Sequence, residues 1–125
     1  MYIHRVENFP VVEIDCSRSM PVDESLAVFS ELLLRKQPFV FIGSGSFQDE
    51  QNSHEDRKKV ALWVKAHKAE LTAFVQAMIY IQPDKAIQAV LRQFAENYEK
   101  FSGYPMIMVE NAEQANQTVQ SLLSA

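Results

Sequence analysis

Short runs of β-forming residues alternate with segments of helical periodicity along the whole chain, and this alternation limits the possible folds most strongly. Strands that alternate with helices pair mainly in parallel, through right-handed crossovers. The sequence therefore predicts one α/β domain over residues 1–125, with four helices and a four- or five-stranded, mostly parallel sheet in β-β-α-β-α-β-α-β-α order. The predicted strands are 2–6, 11–16, 39–42, 72–81 and 106–109.

The second helix and the fourth strand meet in a segment that supports two interpretations. Neither Gly nor Pro occurs between residues 53 and 82, so an unbroken helix over 53–81 is one alternative. However, residues 72–81 are rich in β-formers and have no polar helical face. We therefore predict a helix to about Lys68 and a strand over 72–81.

Prolines and charges mark the first helix. Pro21 suits its first turn, where the missing N–H costs nothing. Pro38 is expected to stop the helix, because proline disfavours helical backbone in the residue before it. Arg35 and Lys36 are then predicted to lie in the last turn, where the helix dipole favours cations.

The third helix has the clearest apolar stripe in the chain. Pro83 is predicted in its first turn beside Asp84, and Gly103 is predicted to end it in a left-handed conformation. Intervals of four, three, four and three residues place five apolar side chains on one face. We expect this face to lie in the core; its members are Ile87, Leu91, Phe94, Tyr98 and Phe101.

Charge and composition exclude several classes of protein. The chain has 12 Lys and Arg against 16 Asp and Glu, a net charge of −4. This argues against nonspecific nucleic-acid binding and against a polybasic membrane anchor. No secretory signal pattern is evident, and no apolar run approaches the ~20 residues that span a bilayer. We expect a cytoplasmic protein without a stable membrane anchor and without a nucleic-acid partner.

The residues that carry chemistry do not assemble into a catalytic constellation. Cys16 is the only cysteine, which excludes an internal disulfide, and its place on the apolar side of a strand predicts a buried, inert thiol. His4, His54 and His67 are far apart, and His67 shares a helical face with Trp63. Trp63 is expected to be a core anchor, with an exposed partner-binding aromatic as the alternative. No catalytic residue, metal site or cofactor is predicted.

One glycine-rich turn is a candidate ligand or phosphoregulatory site. Gly43, Ser44, Gly45 and Ser46 follow the predicted central strand, and Ser53 precedes the next helix. Parallel sheets place ligands at this carboxyl edge, where backbone N–H groups and a helix N-terminus favour an anion. The motif lacks the third Gly of a dinucleotide fingerprint and the Lys of a P-loop. An empty turn that needs glycine for its geometry is the alternative.

The layout of the whole chain resembles the STAS superfamily, in particular its SpoIIAA-like single-domain members. The ending Tyr-Pro-Met-Ile-Met-Val-Glu-Asn-Ala-Glu-Gln-Ala at 104–115 is similar to the buried strand, acidic turn and final helix of that family. The resemblance implies helices mainly on one side of the sheet, and regulation through protein partners or a small ligand. The family's Asp-Ser-Ser/Ala-Gly-like motif with a phosphorylatable Ser is absent, because no Asp precedes Ser44.

These observations predict a non-enzymatic regulatory or protein-interaction module of STAS-like type. The alternative is a small-molecule binding protein for an anion, nucleotide or lipid, or a minor enzyme, that uses the turn at residues 43–46. A protein partner is expected, and the sequence leaves open whether that partner is a second copy in a homodimer.

Overall fold

The strands and helices follow the predicted order. We describe a computed structural model, which covers residues 2–17, 20–45 and 54–123. Its elements confirm an α/β fold with four helices: β1 (Tyr2–Arg5), β2 (Val11–Asp15), α1 (Val22–Leu34), β3 (Phe39–Ser44), α2 (His54–Phe74), β4 (Val75–Ile81), α3 (Lys85–Ser102), β5 (Met106–Val109) and α4 (Ala112–Leu123).

The five strands form one sheet in the order β1-β2-β3-β4-β5. β1 pairs antiparallel with β2, and the other neighbours are parallel. α1, α2 and α3 connect successive parallel strands, and right-handed crossovers place all three on the same face of the sheet. α4 packs on the opposite face against β3, β4 and β5.

Each face of the sheet has its own apolar core. The three-helix face buries two aromatic side chains from β3, Phe39 and Phe41, together with Tyr80 from β4. The α4 face buries smaller residues, namely Val40, Ala77, Ile79, Val109 and Ala115. Side chains alternate across a strand, so β3 and β4 contribute to both cores. The buried, apolar central strands agree with the β-forming runs in the sequence.

The first helix ends earlier than its sequence predicts. Its last residue is Leu34, and Arg35 is the C-cap, with Pro21 at the N-cap position. Lys36 has a left-handed φ of 52°, which ends helical geometry before Pro38 can do so. The prediction that Arg35 and Lys36 lie in the last turn is therefore wrong, as is the placement of Pro21 in the first turn.

The helix α2 passes directly into the strand β4. Helical backbone continues to Phe74 and the strand begins at Val75, so the strand is confirmed while residues 72–74 are helical instead. Leu71 and Phe74, three residues apart, pack on the core as one helical face. Thr72 also donates its hydroxyl hydrogen to the Gly103 carbonyl oxygen at 2.9 Å, which ties this last turn to the end of α3.

The ends of α3 follow from local chemistry. Asp84 is the N-cap, and its carboxylate accepts hydrogen bonds from the backbone N–H groups of Ala86 and Ile87. Pro83 therefore lies before the cap and not in the first turn. Gly103 has a φ of 90° and donates its N–H to the Glu99 carbonyl oxygen at 2.9 Å, which confirms the predicted glycine stop.

Candidate functional site

The predicted anion site begins at the carboxyl end of β3. Ser44 is the last residue of the strand, and Gly45 follows with a left-handed φ of 88°. Gly43 is buried within the strand, where an added Cβ would collide with the Met78 methyl carbon. Ser46 and Ser53 lie outside the described residues, so the structure brings together only part of this predicted site.

The contacts of Ser44 and Gly45 do not favour an anion. Their carbonyl oxygens accept hydrogen bonds from the Cys16 N–H at 2.7 Å and from the Tyr80 hydroxyl at 2.6 Å. An ideal Cβ on Gly45 would lie 3.1 Å from a carboxylate oxygen of Asp15. The Asp15 carboxylate therefore lies close to Gly45, where it would repel a phosphate or carboxylate bound at the turn. The anion site at this turn stays a prediction, and its described part carries unfavourable charge.

A second candidate is a small apolar cavity on the three-helix face of the sheet. Its volume is about 100 Å³, and it is lined by side chains of α1, α2 and α3 and by Tyr104. None of the lining side chains is charged, and the polar groups among them are the hydroxyls and the indole N–H. The lining residues are Leu26, Phe29, Trp63, Val64, Leu71, Tyr98, Phe101, Ser102 and Tyr104.

Two of the lining residues, Tyr98 and Tyr104, are joined by a hydrogen bond between their hydroxyls. The Tyr98 and Tyr104 oxygens lie 2.7 Å apart, and the two rings cross nearly at right angles. The Ser102 hydroxyl donates to the Tyr98 carbonyl oxygen at 2.7 Å and accepts from the Tyr104 backbone N–H at 3.4 Å, so it links the two tyrosine backbones across the end of α3. Burial raises the pKa of Tyr98 well above its usual range and that of Tyr104 to about 12. Both hydroxyls are therefore protonated at neutral pH.

The indole of Trp63 forms another part of the lining. Its Nε1–H donates to the Ser30 hydroxyl oxygen at 3.1 Å, and its ring stacks on His67 with 4.4 Å between centroids. Phe29 contacts the ring at a centroid distance of 5.9 Å. Trp63 is half-buried and packs against the core, as predicted for a core anchor. His67 is also half-buried, and Cys16 is buried as expected.

The predicted core face of α3 is only partly buried. Leu91 and Tyr98 pack against the core, but Ile87, Phe94 and Phe101 are exposed. The prediction that the whole stripe lies in the core is therefore wrong. With Val90, these side chains form a surface that we call the α3 apolar face, and their exposed fractions are 43% for Ile87, 78% for Val90, 43% for Phe94 and 47% for Phe101.

The reason for this exposure is the position of α3 in the fold. The helix packs on α2 and on β5, which is an edge strand of the sheet. These neighbours cover the side that carries Leu91, Ala95 and Tyr98. At 100° per residue, the charged residues of α3 all lie on the flank away from the α3 apolar face. They are Lys85, Arg92, Glu96, Glu99 and Lys100.

No chemical signature of a cofactor accompanies these surfaces. Across the described ranges, no group of three His, Cys, Asp or Glu side chains has an arrangement that suits a metal ion. Among the helices of those ranges, none combines the length and apolar content needed to cross a bilayer. Comparison of the chain with family models, curated proteins and solved structures finds no match.

Sequence reasoning did not identify the cavity or its tyrosine pair. In the sequence, Tyr98 belongs to the predicted apolar stripe of the third helix, and Tyr104 belongs to the segment that leads into the last strand. Their spacing across Gly103, a predicted helix stop, was the one available signal. A left-handed turn at that glycine reverses the chain, and it returns Tyr104 to the side of Tyr98.

Proposed function

We propose that this chain is a non-enzymatic protein-interaction module that binds a protein partner through the α3 apolar face. The observation that carries the proposal is the exposure of Ile87, Val90 and Phe101 on one uncharged flank of a single helix. Monomeric proteins rarely expose large contiguous apolar patches, and such patches mark interaction sites.

Burial of the exposed side chains of this face would contribute favourable free energy to a contact with a partner. Full burial of a Val, Ile or Phe side chain contributes about 1.5–3 kcal/mol. Val90 is more exposed than Ile87 or Phe101, so it has the most to gain from a partner. A partner groove that covers residues 87, 90 and 94 would follow the i, i+3, i+7 spacing that helix-in-groove recognition uses.

Two further points support a role without catalysis. Cys16 is buried, and the His67 ring is engaged by stacking on Trp63 and by a 2.9 Å contact from its Nδ1 to the Trp63 carbonyl oxygen. Neither is arranged as an activated nucleophile with its base. The regulatory part of the proposal rests on the resemblance in layout to STAS proteins.

The test compares capture of partners by two variants of exposed residues. Val90→Asp places a charge at the centre of the α3 apolar face, and Leu62→Ser removes a 59% exposed leucine from α2 as the matched control. Each tagged protein is used to capture partners from its native cell extract, and captured proteins are identified by mass spectrometry. We expect the wild type and Leu62→Ser to retain the same proteins, and Val90→Asp to lose them.

The same variants distinguish a second copy of the chain from a different partner. Sedimentation of the purified proteins reports self-association, which Val90→Asp is expected to abolish if the partner is a second copy. Circular dichroism melts of all three proteins check that each is folded. Retention of the same proteins by folded Val90→Asp, together with unchanged sedimentation, would exclude the α3 apolar face as the binding surface.

A further inference from the structure

We propose that the cavity between α1, α2 and α3 binds a small neutral molecule with an apolar body and one hydrogen-bond acceptor, of the class of small ketones. The cavity shares Phe101 with the α3 apolar face, but its proposed ligand is a small molecule and not a protein. The proposal does not depend on a protein partner.

The size and lining of the cavity define the body of the ligand. An apolar cavity of roughly 150 Å³ binds benzene, so a volume of about 100 Å³ limits the ligand to a body no larger than a five-membered ring or a short alkyl chain. Leu26, Val64 and Leu71 supply aliphatic walls, and Phe29 and Trp63 supply aromatic ones. Such a lining favours an apolar body through burial alone.

The tyrosine pair supplies the polar group that selects the ligand. Each hydroxyl has one hydrogen, but only one hydrogen can lie between the Tyr98 and Tyr104 oxygens. The hydrogen of the second hydroxyl has no acceptor among the described residues. A buried donor without an acceptor costs free energy, and a ligand with an acceptor oxygen at the cavity wall would remove that cost.

Electrostatics favour a neutral ligand over an anion. No Lys, Arg or His contributes to the lining, so a carboxylate inside the cavity would lose its hydration without gaining a counter-charge. The raised pKa values of both tyrosines keep their hydroxyls as donors at neutral pH. A carbonyl oxygen accepts such a hydrogen bond without bringing charge into the site.

The lining also provides a path of entry and a spectroscopic probe. Phe101 lines the cavity and is 47% exposed, so the cavity is lined in part by a side chain that also contacts solvent. Exposed side chains change rotamer within nanoseconds, which allows a small molecule to pass. Trp63 is the only tryptophan, so its indole N–H gives one resolved signal from the cavity wall.

The experiment compares two probes that differ only in the acceptor. Cyclopentanone and methylenecyclopentane have the same shape, but the second has a CH₂ group in place of the carbonyl oxygen. Each is titrated into the ¹⁵N-labelled protein, and the Trp63 indole signal reports binding. We expect both to bind saturably, with cyclopentanone about 2- to 10-fold tighter, the factor that one net hydrogen bond corresponds to.

Two variants test the origin of that preference. Tyr98→Phe/Tyr104→Phe removes both hydroxyls and is expected to abolish the preference for cyclopentanone, while methylenecyclopentane binds as before. Tyr80→Phe removes a different buried hydroxyl, which donates to Gly45 outside the cavity, and should leave the preference intact. Each single variant, Tyr98→Phe or Tyr104→Phe, still leaves one hydroxyl hydrogen without an acceptor and should keep the preference. If the double variant does not fold, the carbonyl stretch of cyclopentanone bound to the wild type is measured instead. We expect it at lower frequency than in an alkane solvent, because the bound carbonyl accepts a hydrogen bond, and an unshifted stretch would overturn the proposal.

A third variant tests the location. Val64→Leu adds one methylene to the cavity wall and should weaken both probes. The proposal is overturned if the wild type binds neither probe saturably, if it binds both equally, or if Val64→Leu binds both as tightly as the wild type. Retention of the preference in the folded Tyr98→Phe/Tyr104→Phe variant would also overturn it.

Discussion

Replacement of Trp63 by Ala removes a side chain that links two helices, and we expect a large loss of stability. Truncation of a fully buried aromatic costs about 3–5 kcal/mol, and the half-burial of Trp63 reduces this to about 2 kcal/mol. The ring contacts with Phe29 and His67 add about 1 kcal/mol together. The expected loss is therefore about 3 kcal/mol in the free energy of unfolding.

The assay is urea unfolding followed by far-ultraviolet circular dichroism, because the variant has no tryptophan fluorescence. With a slope of about 2 kcal/mol per molar urea, a loss of 3 kcal/mol lowers the midpoint by about 1.5 M. Trp63→Phe keeps a ring but loses the hydrogen bond to Ser30, so it should cost about 1 kcal/mol beyond the change in ring size. Ser30→Ala in both backgrounds isolates that hydrogen bond as a double-mutant cycle.

The reasoning fails if Trp63→Ala unfolds at the wild-type midpoint. That result would mean that the ring contributes no net packing energy and is available to a partner. A different result would contradict only the role given to the hydrogen bond between Trp63 and Ser30. If Ser30→Ala costs the same in the wild type and in Trp63→Phe, the 3.1 Å contact between the indole N–H and the Ser30 oxygen contributes nothing to stability.

Three other perturbations have clear expected outcomes. Gly103→Ala should cost about 1–2 kcal/mol in urea unfolding, because the φ of residue 103 is 90° and the new Cβ would lie 2.5 Å from the Thr72 hydroxyl oxygen. Adding Thr72→Ala should recover part of the loss. No loss in Gly103→Ala would contradict the left-handed geometry. Asp84→Ala should cost about 1 kcal/mol through the lost N-cap, while Asp84→Asn keeps an acceptor and most of the stability; equal losses would exclude capping as the cause. Burial raises the pKa of Tyr104 to about 12, so its contribution to stability is complete below pH 10 and should be lost as the pH rises toward 12. Tyrosinate absorbance and urea midpoints measure this together, and a Tyr104→Phe midpoint with the same alkaline slope would assign the effect elsewhere.

Local chemistry determines the order of the elements and the ends of α3, so the order and the glycine stop are predicted correctly and the start of α3 is predicted to within two residues. Asp84 accepts hydrogen bonds from the first backbone N–H groups of its own helix, and Gly103 adopts a backbone conformation that other residues rarely do. Both effects act within a few residues of the chain. The buried β-forming run of β3 is equally local, since the flanking Pro38 and the glycines after Ile42 bound it.

The boundary between α2 and β4 was placed wrongly because competing local signals overlap there. Thr72, Ala73 and Phe74 tolerate either structure, and no glycine or proline separates helix from strand. The helix continues because Phe74 reaches the core from helical geometry and Thr72 bonds to the Gly103 carbonyl oxygen of a distant segment. A contact between residues thirty-one positions apart cannot be obtained from a window of sequence.

The candidate sites differ in the same way. The turn at Gly45 was found from its glycines, but the Asp15 carboxylate beside it comes from the neighbouring strand. The parallel register of β2 and β3, which pairs Asp15 with Ser44, produces that juxtaposition. Likewise, the cavity exists only where three helices meet, so no single segment of the sequence contains its signature.

The α3 apolar face shows that hydrophobic periodicity alone does not predict which side chains of a helix are buried. Apolar residues at intervals of three and four indicate that a helix has an apolar side. The intervals do not indicate which neighbouring element covers that side. Here the last parallel strand, β5, lies at the edge of the sheet, so α3 has no further helix beside it on the three-helix face. Leu91 and Tyr98 pack against α2 and the sheet, whereas Val90 lies outside this contact and is exposed. Because the charges of α3 are confined to the opposite flank, the uncovered part of the helix is suited to contact with another protein and poorly suited to water.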